Sequence, residues 1–236
     1  MRDPITLLDR IFDRSGAVPR PAPQQLLREI ESFVAYHPAP PDAADMPSGK
    51  GHVVLVVPAF FTTDAFTWPL RRFLSRCGYR AFGWDLGVNW GPTPYLISGL
   101  RRRLDELCAI EGGPINVVGV SLGGVLARDL VYDRPNDIGH LVTLVSPFRL
   151  PTASTLEPVV WACAPFYSAA IDPERLSTPL PIPGTAIYTR EDGLVAWQSC
   201  CPDEPNSIAI EVSGPHVAIC RNPDVMRIVA ERLAAE

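Results

Sequence analysis

Residues 117–126 read VVGVSLGGVL, a serine with Gly119, Gly123 and Gly124 around it, directly after an apolar, β-branched run. A serine in an ordinary loop needs no such neighbours. One lifted onto a sharp strand-to-helix turn does, because other backbone approaches it closely and a Cβ would collide. Gly119-Val120-Ser121-Leu122-Gly123 satisfies G-x-S-x-G, INVVGV (115–120) before it reads as a strand, and LGGVLARDLVYDR (122–134) after it reads as a helix. That context holds the Ser121 hydroxyl at the carboxyl end of a strand, facing the free N–H groups and positive dipole end of a helix. A chance pentapeptide in a glycine-rich turn would have neither partner. Ser121 is the candidate nucleophile.

Outward from this turn, strands and helices alternate. HVVLVVPAFF (52–61), YRAFGWDLG (79–87), IGHLVTLVSP (138–147), GTAIYTR (184–190) and SIAIEVSG (207–214) read as strands. FTWPLRRFLSRCG (66–78), TPYLISGLRRRLDELCAIEGG (93–113) and PDVMRIVAERLAAE (223–236) read as helices with their own start and stop residues. Continuous apolar strands alternating with helices predict an α/β fold whose mostly parallel sheet is covered on both faces. Residues 147–183, rich in Pro, Ser and Thr, break the rhythm and are read as a short lid insertion. Residues 4–13 and 23–36 have helical spacing, with Leu26, Leu27, Ile30 and Phe33 as apolar positions, and a Pro/Gly/Asp-rich stretch follows at 37–51. The expected organisation is an N-terminal helical arm and linker over 1–51 and one domain over 52–236. The arm carries no recognisable chemical motif.

Composition narrows the function classes. At 236 residues and 47% hydrophobic, the chain can bury a single substantial core. A net charge of −5 with interspersed signs lacks the basic face that nucleic-acid binding needs. Its one basic run, Arg101–Arg103, is followed by Asp105 and Glu106 and reads as a solvated helix face. No signal-peptide pattern opens the chain, and no stretch approaches the roughly 20 apolar residues of a membrane span, so a cytoplasmic location is expected. Cys77, Cys108, Cys163, Cys200, Cys201 and Cys220 show no CxxC or metal-type spacing. They are expected as buried small hydrophobes, although Cys200 or Cys201 would be free to pair with another cysteine in an exported protein. No metal or cofactor is called for.

A serine hydroxyl needs a base, and four histidines are available. His37 lies in the linker, and His52 and His140 open strands, at the wrong end for a site built from strand carboxyl ends. His216, in EVSGPHVAICRNP, follows the last strand and is the candidate base. The acid should fall between serine and histidine, after the penultimate strand. Glu191 and Asp192 both do; Asp192 is favoured because Gly193 suits a tight turn presenting a carboxylate. Asp172 and Asp203 have no strand end to fix them. The order Ser121, Asp192, His216 is the α/β-hydrolase order. One oxyanion donor should be the Leu122 N–H, and the other should come from PAFFTTD (58–64).

At this point a family resemblance becomes specific. VLVVPAFFTTDAFTWPLRRFLSRCGYRAFGWDLGVNWGP (54–92), with the Ser121 motif, LVTLVSPF, AIYTREDGLVAWQSC and GPHVAICRNP, resembles bacterial α/β-hydrolase-fold lipases and esterases of the triacylglycerol-lipase, PGAP1-like type. The likeness runs from about residue 52 to the end, with the motifs in family order. It implies the α/β-hydrolase fold and a serine hydrolase acting on carboxylic esters. It also makes Phe60 the second oxyanion donor through its backbone N–H. Such lipases usually carry His-Gly where this chain has Pro58-Ala59, and the Ala59 side chain narrows the loop's conformational choice.

The expected substrate is a small-molecule or lipid ester. VVWACAPFY (159–167), with Phe60, Phe61 and Trp90, offers an apolar lining for a medium or long acyl chain, with Trp161 and Phe166 as candidate contacts. Each of these aromatics is equally well explained as core. An acyltransferase using the same three residues, and a hydrolase-fold binding module without turnover, are the competing readings. Oligomeric state is not legible.

Overall fold

The VVLVV run of β1 (Val53–Val57) is buried at every position. Such a strand must be covered on both faces, and alternate residues serve the two layers. Val53, Leu55 and Val57 enter one apolar cluster with α4 (Pro94–Glu111) and α5 (Leu122–Asp133). Val54 and Val56 enter the other with α3 (Asp64–Arg76) and α8 (Pro223–Ala234). The structure is a computed structural model that describes residues 4–167 and 171–235.

The other strands are β2 (Arg80–Gly83), β3 (Ile115–Val120), β4 (Ile138–Leu144), β5 (Gly184–Tyr188) and β6 (Ser207–Glu211). All six are parallel, in the order β2-β1-β3-β4-β5-β6. This is the sheet that the alternation of strand and helix predicts. The chain leaves β1 for β2 on one side and returns to β3 on the other, so a crevice opens between the carboxyl ends of β1 and β3. Ser121 and the 58–64 loop flank that crevice.

Local chemistry ends the helices where the sequence indicates. Thr93 caps α4 by accepting from the Leu96 N–H, and Gly112 stops it in a left-handed conformation at φ +80°. Asn222 caps α8 by accepting from the Asp224 and Val225 N–H groups. In the basic run, Arg101 pairs with Asp133 and Arg103 with Glu106. All six cysteines are free. Among the described residues no helix is long and apolar enough to cross a membrane.

The arm packs in a way its hydrophobic pattern does not predict. α1 (Pro4–Ile11) brings Leu8, and Phe12 just beyond it, against Ala164 and Tyr167. In α2 (Pro23–Ala35), Leu27, Ile30, Phe33 and Val34 point to solvent, whereas Glu29 is buried at 2% exposure. The polar edge of this helix, not its apolar stripe, faces the body. The 147–183 segment contains α6 (Glu157–Cys163) and α7 (Pro173–Leu176), and its Thr152 and Ser154 bridge to Phe12 and Val195. The end of the VVWACAPFYSAA piece, 168–170, lies outside the described residues, as do 1–3 of the arm and 236 of the last helix.

Candidate active site

β3 ends at Val120 and α5 begins at Leu122, so Ser121 alone makes the turn, at φ +52° and ψ −122°. A non-glycine residue holds such a conformation only where its surroundings over-determine it. The Ser121 N–H donates to the Leu144 carbonyl at 2.8 Å, and its own carbonyl accepts from Gly124 N at 3.0 Å. The glycines permit the crossing. A Cβ at Gly119 would stand 2.3 Å from Gly124 Cα, and one at Gly123 would stand 2.4 Å from the Pro58 carbonyl oxygen. A Cβ at Gly124 would stand 2.0 Å from Ser146 Oγ. Among the described residues no hydrogen bond holds Ser121 Oγ, so the hydroxyl can turn.

Asp192 and His216 come from the loops after β5 and β6. Asp192 Oδ1 accepts from Leu194 N and Val195 N, each at 2.8 Å, which fixes the turn and aims Oδ2 elsewhere. His216 Nδ1 lies 2.7 Å from Oδ2, and both residues are buried. With the Nδ1 proton given to the carboxylate, the neutral ring keeps its lone pair on Nε2. Burial opposes the charged imidazole, but the charge and hydrogen bond of Asp192, with Glu29 behind them, outweigh it and raise the His216 pKa above its ordinary 6.5. Glu191 instead accepts from the Gly214 N–H. The other histidines are engaged elsewhere: His37 with the Val34 carbonyl, His52 with Glu111 and His140 with Thr185.

The Phe60 and Leu122 N–H groups have no acceptor among the described residues. Both residues line one cavity with Ser121. The loop carrying Phe60 is pinned by Asn89, a wholly buried residue that the sequence reading passed over. Asn89 Nδ2 donates to the Pro58 carbonyl at 2.7 Å, its N–H donates to the Thr62 carbonyl at 2.9 Å, and its carbonyl accepts from Phe61 N at 2.8 Å. Pinned in this way, the loop needs no glycine at Ala59.

Glu29 of α2 reaches the same site from behind. Its Oε1 accepts from Gly193 N at 2.8 Å and His216 N at 2.9 Å, and its Oε2 accepts from Val217 N at 2.9 Å. Gln25, one turn earlier, donates to the Arg190 carbonyl at 2.8 Å. No local pattern around Glu29 announces these contacts.

The cavity has a volume of about 100 Å³ and is mainly aliphatic. Leu8, Ile11 and Phe12 from the arm and Leu156, Val160 and Ile171 from the 147–183 segment roof it. The four aromatics expected to contact substrate are not on this wall. Phe61 and Trp90 stack edge to face at 4.9 Å, each about half exposed, and Phe166 is 71% exposed. Trp161 packs beside α1 under the Arg14 guanidinium. Phe60, with Val160 and Tyr167 of the 159–167 piece, does line the cavity beside Phe12, and most of the remaining wall is aliphatic residues spread too widely along the chain to form a motif.

The chain matches no protein-family model and no curated protein sequence. It is similar in structure to one of the metagenome-derived lipolytic enzymes LipS and LipT (TM-score 0.59, 15% identity, covering 79% of this chain and 93% of that one). It is likewise similar to a lipase-esterase related protein from Clostridium acetobutylicum (TM-score 0.58, 16% identity, covering 78% and 96%). A third similar structure is the thioesterase domain of the curacin biosynthetic pathway (TM-score 0.55, 15% identity, covering 80% and 92%). The fold is the α/β-hydrolase fold.

Proposed function

We propose that this protein is a serine hydrolase that cleaves carboxylic esters through an acyl-enzyme on Ser121. The observation that carries the reading is the shared wall of one apolar cavity. There the strained Ser121 turn meets two unengaged N–H groups, those of Phe60 and Leu122.

In this mechanism an ester carbonyl enters the cavity beside Ser121, and Ser121 Oγ attacks it. His216 Nε2 takes the hydroxyl proton, and Asp192 orients the ring and stabilises its cation. The contact between serine and imidazole forms as substrate binds, since such bonds are often long in a free enzyme. Negative charge developing on the carbonyl oxygen rests on the Phe60 and Leu122 N–H groups, donors that need no reorganisation. Proton transfer from His216 expels the alcohol, and water then repeats the sequence to release the acid. The 147–183 segment acts as a lid together with α1, because both roof the cavity. About 100 Å³ of mainly apolar space suits a shorter acyl chain than the medium or long one that the sequence suggests, of the size that small apolar cavities hold. The lipase, esterase and thioesterase activities named for proteins of similar fold agree with this chemistry.

The test is hydrolysis of p-nitrophenyl esters from acetate to laurate by the wild type and by Ser121→Ala. The reading predicts turnover by the wild type and a loss of about a thousandfold or more in the variant. Undiminished turnover by Ser121→Ala would remove it.

A further inference from the structure

Resting on that reading of Ser121, Asp192 and His216, we propose that Glu29, on the arm helix α2, is a positioning residue for catalysis. Its carboxylate ties the acid turn and the base loop into one unit. The three N–H groups it accepts belong to Gly193, adjacent to the acid, to His216 itself, and to Val217. A carboxylate with three N–H donors in a buried setting makes charge-assisted bonds stronger than neutral ones. They act on the backbone that carries the imidazole and on the turn that carries its partner.

Three features separate this arrangement from ordinary helix packing. Gly193 is cut to fit it: a Cβ there would stand 2.6 Å from Gln25 C and 2.8 Å from Glu29 Cγ. The contact also runs against the helix's own hydrophobic pattern, with Ile30 62% exposed while Glu29 is buried. Finally, the Glu29 charge acts on the ring as well as the backbone, since it favours the imidazolium. The charged groups acting on that ring are Asp192, from the loop after β5, and Glu29, from α2. The arm thereby becomes part of the catalytic machinery.

Glu29→Gln keeps the shape and removes the charge. Glu29→Asp keeps the charge and falls one methylene short. Ile30→Ser, on the outward face of the same helix, controls for helix packing. The measurements are kcat and KM on a p-nitrophenyl ester, the pH profile of kcat/KM, and the NMR titration of the His216 ring in ¹³C-histidine-labelled full-length protein.

For Glu29→Gln the expected result is kcat lower by about ten- to a hundredfold at unchanged KM. Its acid limb and its His216 titration should both move to lower pH. Glu29→Asp should lose kcat with the acid limb near that of the wild type, and decides the positioning role if Glu29→Gln does not fold. Ile30→Ser should match the wild type. Wild-type kcat and wild-type His216 titration in Glu29→Gln would overturn the proposal. So would a loss shared by Ile30→Ser with the titration unmoved. If the wild type hydrolyses no ester, the esterase reading falls, and the His216 titration alone still decides for or against Glu29.

Discussion

Asp192 Oδ2 stands 2.7 Å from His216 Nδ1, and the acid's other oxygen is fully used by the Leu194 and Val195 N–H groups. This division of labour gives the carboxylate one orientation and the ring one tautomer. Asp192→Asn preserves the shape but presents an amide that can turn its NH2 toward Nδ1. We expect kcat to fall by about 10⁴-fold, as for the corresponding change in serine proteases, with the circular dichroism spectrum unchanged. A loss below tenfold would mean that another group holds the ring.

The same contact sets the pH dependence. The base must be neutral to accept the Ser121 proton, and activity is lost as pH falls through the His216 pKa. Burial alone would lower that pKa; Asp192 and Glu29 raise it, so the acid limb of kcat/KM should lie above the ordinary 6.5 of histidine. Removing the Asp192 charge should shift the limb of the residual activity to lower pH. A wild-type limb below 6 would contradict the electrostatics described here.

Much of this architecture was legible in the chain. G-x-S-x-G between an apolar strand and a helix located the turn because that geometry imposes glycines at fixed short spacing. Asp192 and His216 were legible through topology: residues that follow strands collect at one edge of a parallel sheet, and the two do meet there. Glu29, Asn89 and most of the cavity wall were not. Glu29 lies 164 and 187 residues from Gly193 and His216, a separation that leaves no periodic trace. The stripe of Leu27, Ile30 and Phe33 reads as an inward face, but the unpaired N–H groups of two loops offered Glu29 a better inward partner than any apolar surface. Trp161 and Phe166 drew attention by size, whereas the cavity wall sets Phe12, Phe60 and Tyr167 among aliphatic residues from distant segments.

Asn89 holds the oxyanion loop through its side chain as well as its backbone. Asn89→Leu fills the same space but leaves the Pro58 carbonyl and the Gly91 N–H, both bonded to Asn89 in the wild type, without partners. That should cost roughly 2–4 kcal/mol and lower Tm by about 5–15 °C. As the Phe60 N–H loses its fixed aim, kcat should fall by about tenfold or more, read in a thermal melt and an ester assay on the same sample.

Gly123 is required by space, not by conformational freedom. A methyl there would stand 2.4 Å from the Pro58 oxygen and 2.5 Å from the Val57 oxygen, both backbone atoms at the end of β1. Gly123→Ala should cost about 4 kcal/mol or more. Gly113→Ala, where nothing lies within 4 Å of the added carbon, should stay within about 0.5 kcal/mol of the wild type. Urea unfolding of the pair checks the contrast, and equal midpoints would show that α5 does not sit this close to β1.

The most direct measurement is intact-mass analysis after reaction with a fluorophosphonate, on the wild type and on Ser121→Ala. An activated serine beside two unengaged N–H groups should take one adduct in the wild type, and the variant should take none. A folded wild type that takes no adduct, or a Ser121→Ala variant that still takes one, would contradict the account at its centre.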